Sequence, residues 1–262
     1  MEAAKTLEFG DKAALVTGAT SGIGRATALL LAERGARVAV AGRKREALDA
    51  VTAAIRAKGG EAIAIQGDVT VENDRVTMVE EAGRTFRRLD VLVNAAGILA
   101  SGSLETTSRK TWDQMMDVNV TSIFRLMQQA LPWLEAVKGN VVNVSSVTGL
   151  RSFPGVLAYC VSKAALDQLT RCAALELAAK GVRVNAVNPG VTVTEVHKRA
   201  GMDDAAYAAF LEKSKTTHPM GRVGDAKEIA ELIAFLANGE RAGWITGDTV
   251  SIDGGRALTC AR

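Results

Sequence analysis

The chain has 262 residues, 48% of them hydrophobic, and a formal net charge of +3 from 32 basic and 29 acidic side chains. That is enough apolar chain to bury a sizeable core. The charges are dispersed rather than blocked and aromatics make up only 4%, which speaks against nucleic-acid or membrane-surface binding and against stacking platforms for single strands.

In chain order, Met1–Phe9 has neither a long apolar core nor a cleavage pattern, and no later apolar run reaches membrane-spanning length. A soluble, reducing, cytoplasmic setting is therefore expected. Ala13–Thr17 is a short apolar run that ends in a glycine-rich turn, Gly18–Gly24, and opens into helical spacing over Arg25–Arg34. Gly35 stops that helix, and Arg37–Ala41 reads as a second strand. Arg45–Lys58 is amphipathic and closes on Gly59-Gly60, and Glu61–Gln66 is the third strand. A helix over Val71–Arg88, a strand over Val91–Asn94, one long helix over Thr107–Leu134 and a strand over Asn140–Ser145 follow. Ala158–Lys180 is helical, ends at Gly181 and gives way to a strand over Val182–Val187. Val191–Met220 is the least regular stretch; a helix over Ala226–Ala237 and a last strand over Thr249–Ile252 complete the chain. Apolar strands alternating with helices predict βαβ units and a parallel sheet covered on both faces. Right-handed crossovers make such a sheet doubly wound. The expected fold class is thus α/β, a doubly wound parallel seven-stranded sheet of Rossmann type, in a single domain over residues 1–262. Cys160, Cys172 and Cys260 are odd in number and lack C-x-x-C spacing, and His197 and His218 are the only histidines. Neither a disulfide framework nor a metal site is indicated.

The turn Thr17-Gly18-Ala19-Thr20-Ser21-Gly22-Ile23-Gly24 lies where a doubly wound fold binds phosphate. Gly18 allows a tight turn, Gly22 lets backbone approach a pyrophosphate, and Gly24 lets helix and strand pack closely. The next helix offers free N–H groups and the positive end of its dipole to the anion. At the end of the second strand, dinucleotide-binding folds place an acid for a ribose 2′-hydroxyl or an Arg for a 2′-phosphate. Here Val38-Ala39-Val40-Ala41 runs into Gly42-Arg43-Lys44 with no carboxylate. Arg43 offers a bidentate fork suited to phosphate, so NADP(H) is expected, with NAD(H) as the alternative. Asp68-Val69, after the third strand, is placed either to touch the adenine or, through Asp68, to cap the next helix.

Tyr159 and Lys163 stand four residues apart on one helical face, with Ser146 thirteen positions before the Tyr. A cation ~5 Å from a phenol favours its ionised form by ~3 kcal/mol at an effective dielectric of ~20. Lys163 is therefore expected to bring the Tyr159 phenol toward the range where proton transfer at neutral pH is useful.

These pieces occur together with Asn94-Ala95-Ala96-Gly97, Asn119, Val144-Ser145-Ser146, Asn188-Pro189-Gly190, Thr194 and Asp253-Gly254-Gly255. In that order and spacing the chain resembles the short-chain dehydrogenase/reductase family over essentially its whole length, nearest the branch containing 3-oxoacyl-carrier-protein reductases. It departs from many relatives at Ala95, where Asn is common, and at Ser21, a position that is basic in many NADP-dependent members. Arg43 then carries the 2′-phosphate argument alone. The resemblance implies that Tyr159 is the general acid or base, that Lys163 tunes it and binds nicotinamide ribose, that Ser146 holds the carbonyl oxygen, and that Asn119 holds a water linking Lys163 to solvent. It also implies cofactor contacts at Gly18, Ser21, Gly22, Ile23, Gly24, Arg43, Asp68, Val69, Asn94, Ala95, Gly97, Pro189, Gly190, Val191 and Thr194. For Asn94 and Thr194 a structural turn or cap role is the alternative.

In the family, the stretch at about 191–220 forms a lid over the substrate. Met202, Tyr207, Phe210 and Leu211 are either a binding wall or the apolar face of a short helix, and their spacing favours packing. His197, Lys198, Arg199, Lys213 and Lys215 make the same stretch basic, which suits an acidic substrate or carrier as well as a solvated face. Ile98–Leu104 and Val147–Gly155 are expected to line the pocket opposite, with Leu150, Phe153 and Val156 making it apolar. The expected activity is NADP(H)-dependent reduction of a ketone, such as a 3-oxoacyl thioester. The alternatives are dehydrogenation of a secondary alcohol, sugar or steroid, and a nucleotide-sensing scaffold without turnover. The resemblance also implies a homotetramer, a dimer of dimers through the long helices.

Overall fold

The computed structural model describes residues 7–259; Cys260 and most of Met1–Phe9 lie outside the described residues. Seven parallel strands form one sheet in the order β3-β2-β1-β4-β5-β6-β7. In chain order the elements are β1 (Ala13–Thr17), α1 (Gly22–Glu33), β2 (Arg37–Gly42), α2 (Arg45–Arg56), β3 (Ala62–Gln66), α3 (Glu72–Phe86) and β4 (Val91–Asn94). There follow α4 (Arg109–Met116), α5 (Ser122–Val137), β5 (Asn140–Val144), α6 (Val147–Leu150), α7 (Leu157–Leu177) and β6 (Arg183–Pro189). The chain continues through α8 (Val196–Arg199), α9 (Asp204–Thr217), α10 (Ala226–Ala237), α11 (Gly239–Ala242) and β7 (Thr249–Ile252).

Consecutive strand residues point to opposite faces, and the apolar runs fill two layers accordingly. Val16, Val93 and Val142 join α1, α2 and α10 on one face. Leu15, Leu92 and Val141 join α3, α5 and α7 on the other. Strand order reverses between β1 and β4, so the crevice beyond their carboxyl ends is the place for a ligand.

Two expected elements differ. The single helix over Thr107–Leu134 begins at Arg109, capped by the Ser108 side chain accepting from the Thr111 N–H. It also contains a π-helical turn, Asp117–Thr121, between α4 and α5. Such turns insert one residue into a helix and turn local side chains off register; the buried Asn119 is in this one. The irregular stretch Val191–Met220 holds two helices, α8 and α9, of which α9 is capped by Asp203 accepting from the Ala206 N–H. Its weak amphipathicity hid it from sequence periodicity.

Candidate active site

The glycine-rich turn leads from β1 directly into α1, which begins at Gly22, three residues earlier than its sequence spacing indicated. Gly18 and Gly22 have φ of +64° and +52°, a region open to glycine at little cost. A Cβ on Gly18 would stand 2.7 Å from Ala96 N, and one on Gly24 would stand 2.5 Å from Gly18 O. The turn is thus stripped of side chains where β1, α1 and the end of β4 converge, and α1 aims its first amides into the crevice.

A cleft of about 1880 Å³ opens there, lined by Gly18, Ser21, Gly22, Ile23, Gly24, Arg43, Asp68, Val69, Ala95, Gly97, Ser146, Tyr159, Lys163, Pro189, Gly190, Val191 and Thr194. Single small-molecule sites usually span ~300–1,000 Å³; this one has room for a dinucleotide and a second molecule. The turn, with glycine at 18, 22 and 24, fits a diphosphate, and the exposed Arg43 at the end of β2 fits a further phosphate, so the residues present fit a dinucleotide. Arg43 lies 3.9 Å from Asp68. Asp68 does not cap α3, whose N-terminal neighbour is Val71; it accepts from the N–H and hydroxyl of Thr70 at 2.9 and 2.8 Å.

Two expected residues stand outside the lining. Asn94 is fully buried and donates to Asn143 Oδ1 at 2.9 Å, a bond between neighbouring strands. Its amide is thus engaged within the sheet, between β4 and β5, which is neither a turn nor a cap. Asn119 is fully buried and accepts from the Ile98 N–H at 2.9 Å while donating to Ile98 O and Ser162 Oγ at 3.0 Å each. The space toward Lys163 is kept by Gly97, whose added Cβ would stand 3.3 Å from Asn119 Oδ1 and 3.7 Å from Lys163 Nζ.

Helix α7 brings Tyr159 and Lys163 onto the face that meets the end of β5. Lys163 Nζ donates to Val144 O at 2.8 Å and lies 5.7 Å from the centre of the Tyr159 ring. Ser146, which caps α6 by accepting from the Thr148 N–H at 3.2 Å, is the neighbour that pulls the Tyr159 phenol's pKa down. The expected fall in the phenol's pKa is reversed: burial pushes Tyr159 up to about 12, outweighing the downward pull of Ser146. Burial also takes Lys163 down to about 8, against the nearby Asp167. The ammonium is spent on a carbonyl rather than on the phenol oxygen, and removing both groups from water costs more than their proximity returns. Tyr159 accordingly stays protonated, the form a proton donor needs.

Asp167 is the residue that sequence reading missed. One helical turn beyond Lys163, it is 1% exposed and accepts from Asn188 Nδ2 at 2.9 Å. Burial pushes its carboxyl up, against hydrogen bonds from Ser145 and Asn188 and the charge of Lys163. Its four-residue spacing from Lys163 was the available signal.

Linkage sets the pH dependence of the Lys163 site. Its folded pKa of about 8 is below the ordinary 10.5, so its burial penalty is complete below pH 8 and is relieved as pH rises toward 10.5. Measured by urea denaturation, the stability of the parent relative to Lys163→Met should improve by roughly 2 kcal/mol between pH 7 and pH 10. A difference that stays flat across that range contradicts it.

Of the substrate-side residues, Ile98, Leu99, Phe153, Val156, Met202 and Phe210 line the cleft, whereas Leu150 is 39% exposed and Tyr207 is buried beneath it. The Tyr207 hydroxyl accepts from Thr194 N and donates to Thr194 O, at 3.1 and 2.8 Å, clamping the loop after β6. Arg256, not singled out by sequence, also lines the cleft, 5.0 Å over the Phe153 ring.

A glycine turn at the switch point of a parallel sheet, opposite a Ser–Tyr pair with a buried Lys, defines a dinucleotide-dependent oxidoreductase. The family model described as Enoyl-(Acyl carrier protein) reductase matches residues 18–257. A 3-oxoacyl-(acyl-carrier-protein) reductase of Staphylococcus aureus is 42% identical over 247 residues, covering 93% of this chain and 97% of that one. A glucose 1-dehydrogenase of Gluconobacter oxydans is 40% identical over 254 residues, 95% and 93% of the two chains. A short-chain dehydrogenase/reductase of unknown function from Caenorhabditis elegans, solved with cofactor, superposes with a TM-score of 0.92 at 33% identity, covering 97% of this chain and 98% of that one. The chain belongs to the short-chain dehydrogenase/reductase family, and it is an oxidoreductase of that family's NAD(P)-dependent kind.

Proposed function

We propose that the protein is an NADP(H)-dependent ketone reductase whose substrate is a 3-oxoacyl thioester or a related secondary carbonyl. The observation that carries the reading is the Ser146–Tyr159 hydroxyl pair facing the dinucleotide cleft. A carbonyl gaining hydride develops negative charge on its oxygen, and two fixed O–H donors stabilise that charge as it forms. The reduced nicotinamide, when bound, supplies the hydride. Ser146 orients the substrate oxygen; Tyr159 hydrogen-bonds it and gives up its proton there. Lys163 stabilises the phenolate that this leaves. The space beside Gly97, between Asn119 and Lys163, suits a water held by Asn119 that links Lys163 to solvent. Helices α8 and α9 act as the lid that excludes bulk water.

A second reading, dehydrogenation of a secondary alcohol such as a sugar, is favoured by the glucose 1-dehydrogenase relative. The same residues serve it, with Tyr159 as base. Initial rates over a panel of 3-oxoacyl thioesters, small ketones and sugars, in both directions, decide between the two.

The preference for NADP(H) rests on the exposed Arg43 at the end of β2, with no carboxylate in the strand end Ala41-Gly42-Arg43. Charge-assisted hydrogen bonds contribute roughly 1.5–3 kcal/mol, so Arg43→Ala should weaken NADPH binding by roughly 10- to 100-fold and leave NADH within about threefold. Equal effects on both cofactors in a titration would assign the preference elsewhere. A cytoplasmic homotetramer completes the proposal. Cys160 and Cys172 are free, and Phe124 on α5 with Val161 and Leu175 on α7 are exposed apolar side chains on the helices expected to pair. A monomeric mass in solution would remove the assembly from it.

A further inference from the structure

The loop after β6 approaches the glycine-rich turn from the lid side. The Thr194 methyl lies 3.1 Å from where a Cβ on Gly22 would stand. Farther along, at the end of α8, Arg199 reaches back across the cleft and its Nη2 donates to Ser21 Oγ at 2.8 Å. Ser21 immediately precedes α1, yet its side chain makes no capping bond, so its oxygen and the first amides of α1 face the same space as the guanidinium. Neighbouring Lys198 is neutralised by Asp204 at 2.7 Å, whereas among the described residues Arg199 has a hydroxyl partner and no carboxylate. A cation set against the positive end of a helix dipole is a mismatch by itself. An anion between them turns both into favourable partners.

We propose that Arg199 is a lid-borne ligand for the dinucleotide's pyrophosphate, so that binding the diphosphate draws α8 and the lid onto the glycine-rich turn. The proposal rests on the dinucleotide-binding reading of the cleft and not on the choice between NADP and NAD. Pyrophosphate, rather than a 2′-phosphate, is the group inferred, because the guanidinium meets Ser21 immediately before the first amides of α1, although that position is basic in many NADP-dependent relatives; the comparison of NADPH with NADH below separates the two. Within the turn, Gly22 is the residue that Thr194 approaches, whereas Thr20 Cγ2 is 3.0 Å from a Cβ built on Gly42, the residue before Arg43. The lid cation thereby contacts a group shared by both nicotinamide dinucleotides, and Arg43 remains the group placed to tell them apart.

The test is calorimetric titration of the parent, Arg199→Met and Arg199→Lys with NADPH, NADH, ADP and adenosine. Arg199 is exposed, so the variants should retain the parent's melting temperature. The expected result is a loss of about tenfold in Arg199→Met, equal for NADPH, NADH and ADP, smaller in Arg199→Lys, and absent for adenosine, which carries no phosphate. Chymotryptic cleavage within α9, at Tyr207 and Phe210, should slow on adding ADP to the parent and not to Arg199→Met. A loss confined to NADPH would move Arg199 to the 2′-phosphate and overturn the proposal, as would a loss shared by adenosine, no loss at all, or ADP protection unchanged in the variant. A parent that binds none of the phosphate-bearing ligands would overturn the dinucleotide reading itself, which separates the two failures.

Discussion

Replacing Tyr159 with Phe should reduce ketone turnover by at least ~10³-fold, because positioned proton transfer contributes ~10²–10⁴ and an oxyanion donor ~10²–10³. NADPH affinity should change little, since the ring and its packing beside Lys163 are retained. The phenol is the group that burial pushes up to about 12, against the pull of Ser146. Its loss removes both the proton and one of the two donors to the developing oxyanion, and water cannot replace a donor fixed by α7. Ser146→Ala leaves the proton donor in place and should cost only about 10²-fold. Single-turnover rates with saturating NADPH, alongside a binding titration, measure both. A Tyr159→Phe enzyme within tenfold of the parent would remove the phenol from the chemistry.

A methyl group at Gly24 should abolish dinucleotide binding. The added Cβ would stand 2.5 Å from Gly18 O, 2.8 Å from Gly18 C and 3.2 Å from Ala19 N. All three are backbone atoms of the turn itself, so no side chain can swing aside, and the turn or α1 must shift. Overpacking of this kind costs roughly 1–3 kcal/mol of stability, and displacement of the α1 amides should weaken NADPH binding by more than ~100-fold. Gly59→Ala is the control. Gly59 has φ of +81° but nothing within 4 Å of the new Cβ, so it should lose about 1 kcal/mol of stability with cofactor affinity intact. Equal binding by the two variants would show that the turn does not cradle the diphosphate.

The strands were legible because each is a short apolar run bounded by glycine or a charge, and burial on both faces demands such runs. All seven stand within a residue or two of their sequence positions, and their parallel pairing follows from the intervening helices. The stretch Val191–Met220 was less legible. Helix α9 buries Tyr207 and Ser214 but exposes most of its length, so its apolar period is faint. The π-helical turn at Asn119 was invisible because an inserted residue leaves the flanking periodicity of α4 and α5 intact.

Tyr159 and Lys163 could be paired from spacing, since residues four apart on a helix share a face whatever surrounds it, while Ser146 and the roles of all three came from the family resemblance. The direction of the Tyr159 pKa could not be read from spacing: a pairwise Coulomb argument predicts a fall, whereas desolvation produces a rise. Asn94 shows the same limit, its amide turned into the sheet toward Asn143 rather than out to a ligand. Arg199 and Ser21 are 178 residues apart, and no local rule joins them. Sequence by itself therefore determined the strands, most of the helices, the family and the candidate reacting groups, because these depend on periodicity, short spacings and the order of motifs. Solvation of those groups, and which distant cation meets the phosphate turn, were decided by the tertiary structure, because burial and long-range contact exist only once the layers have packed.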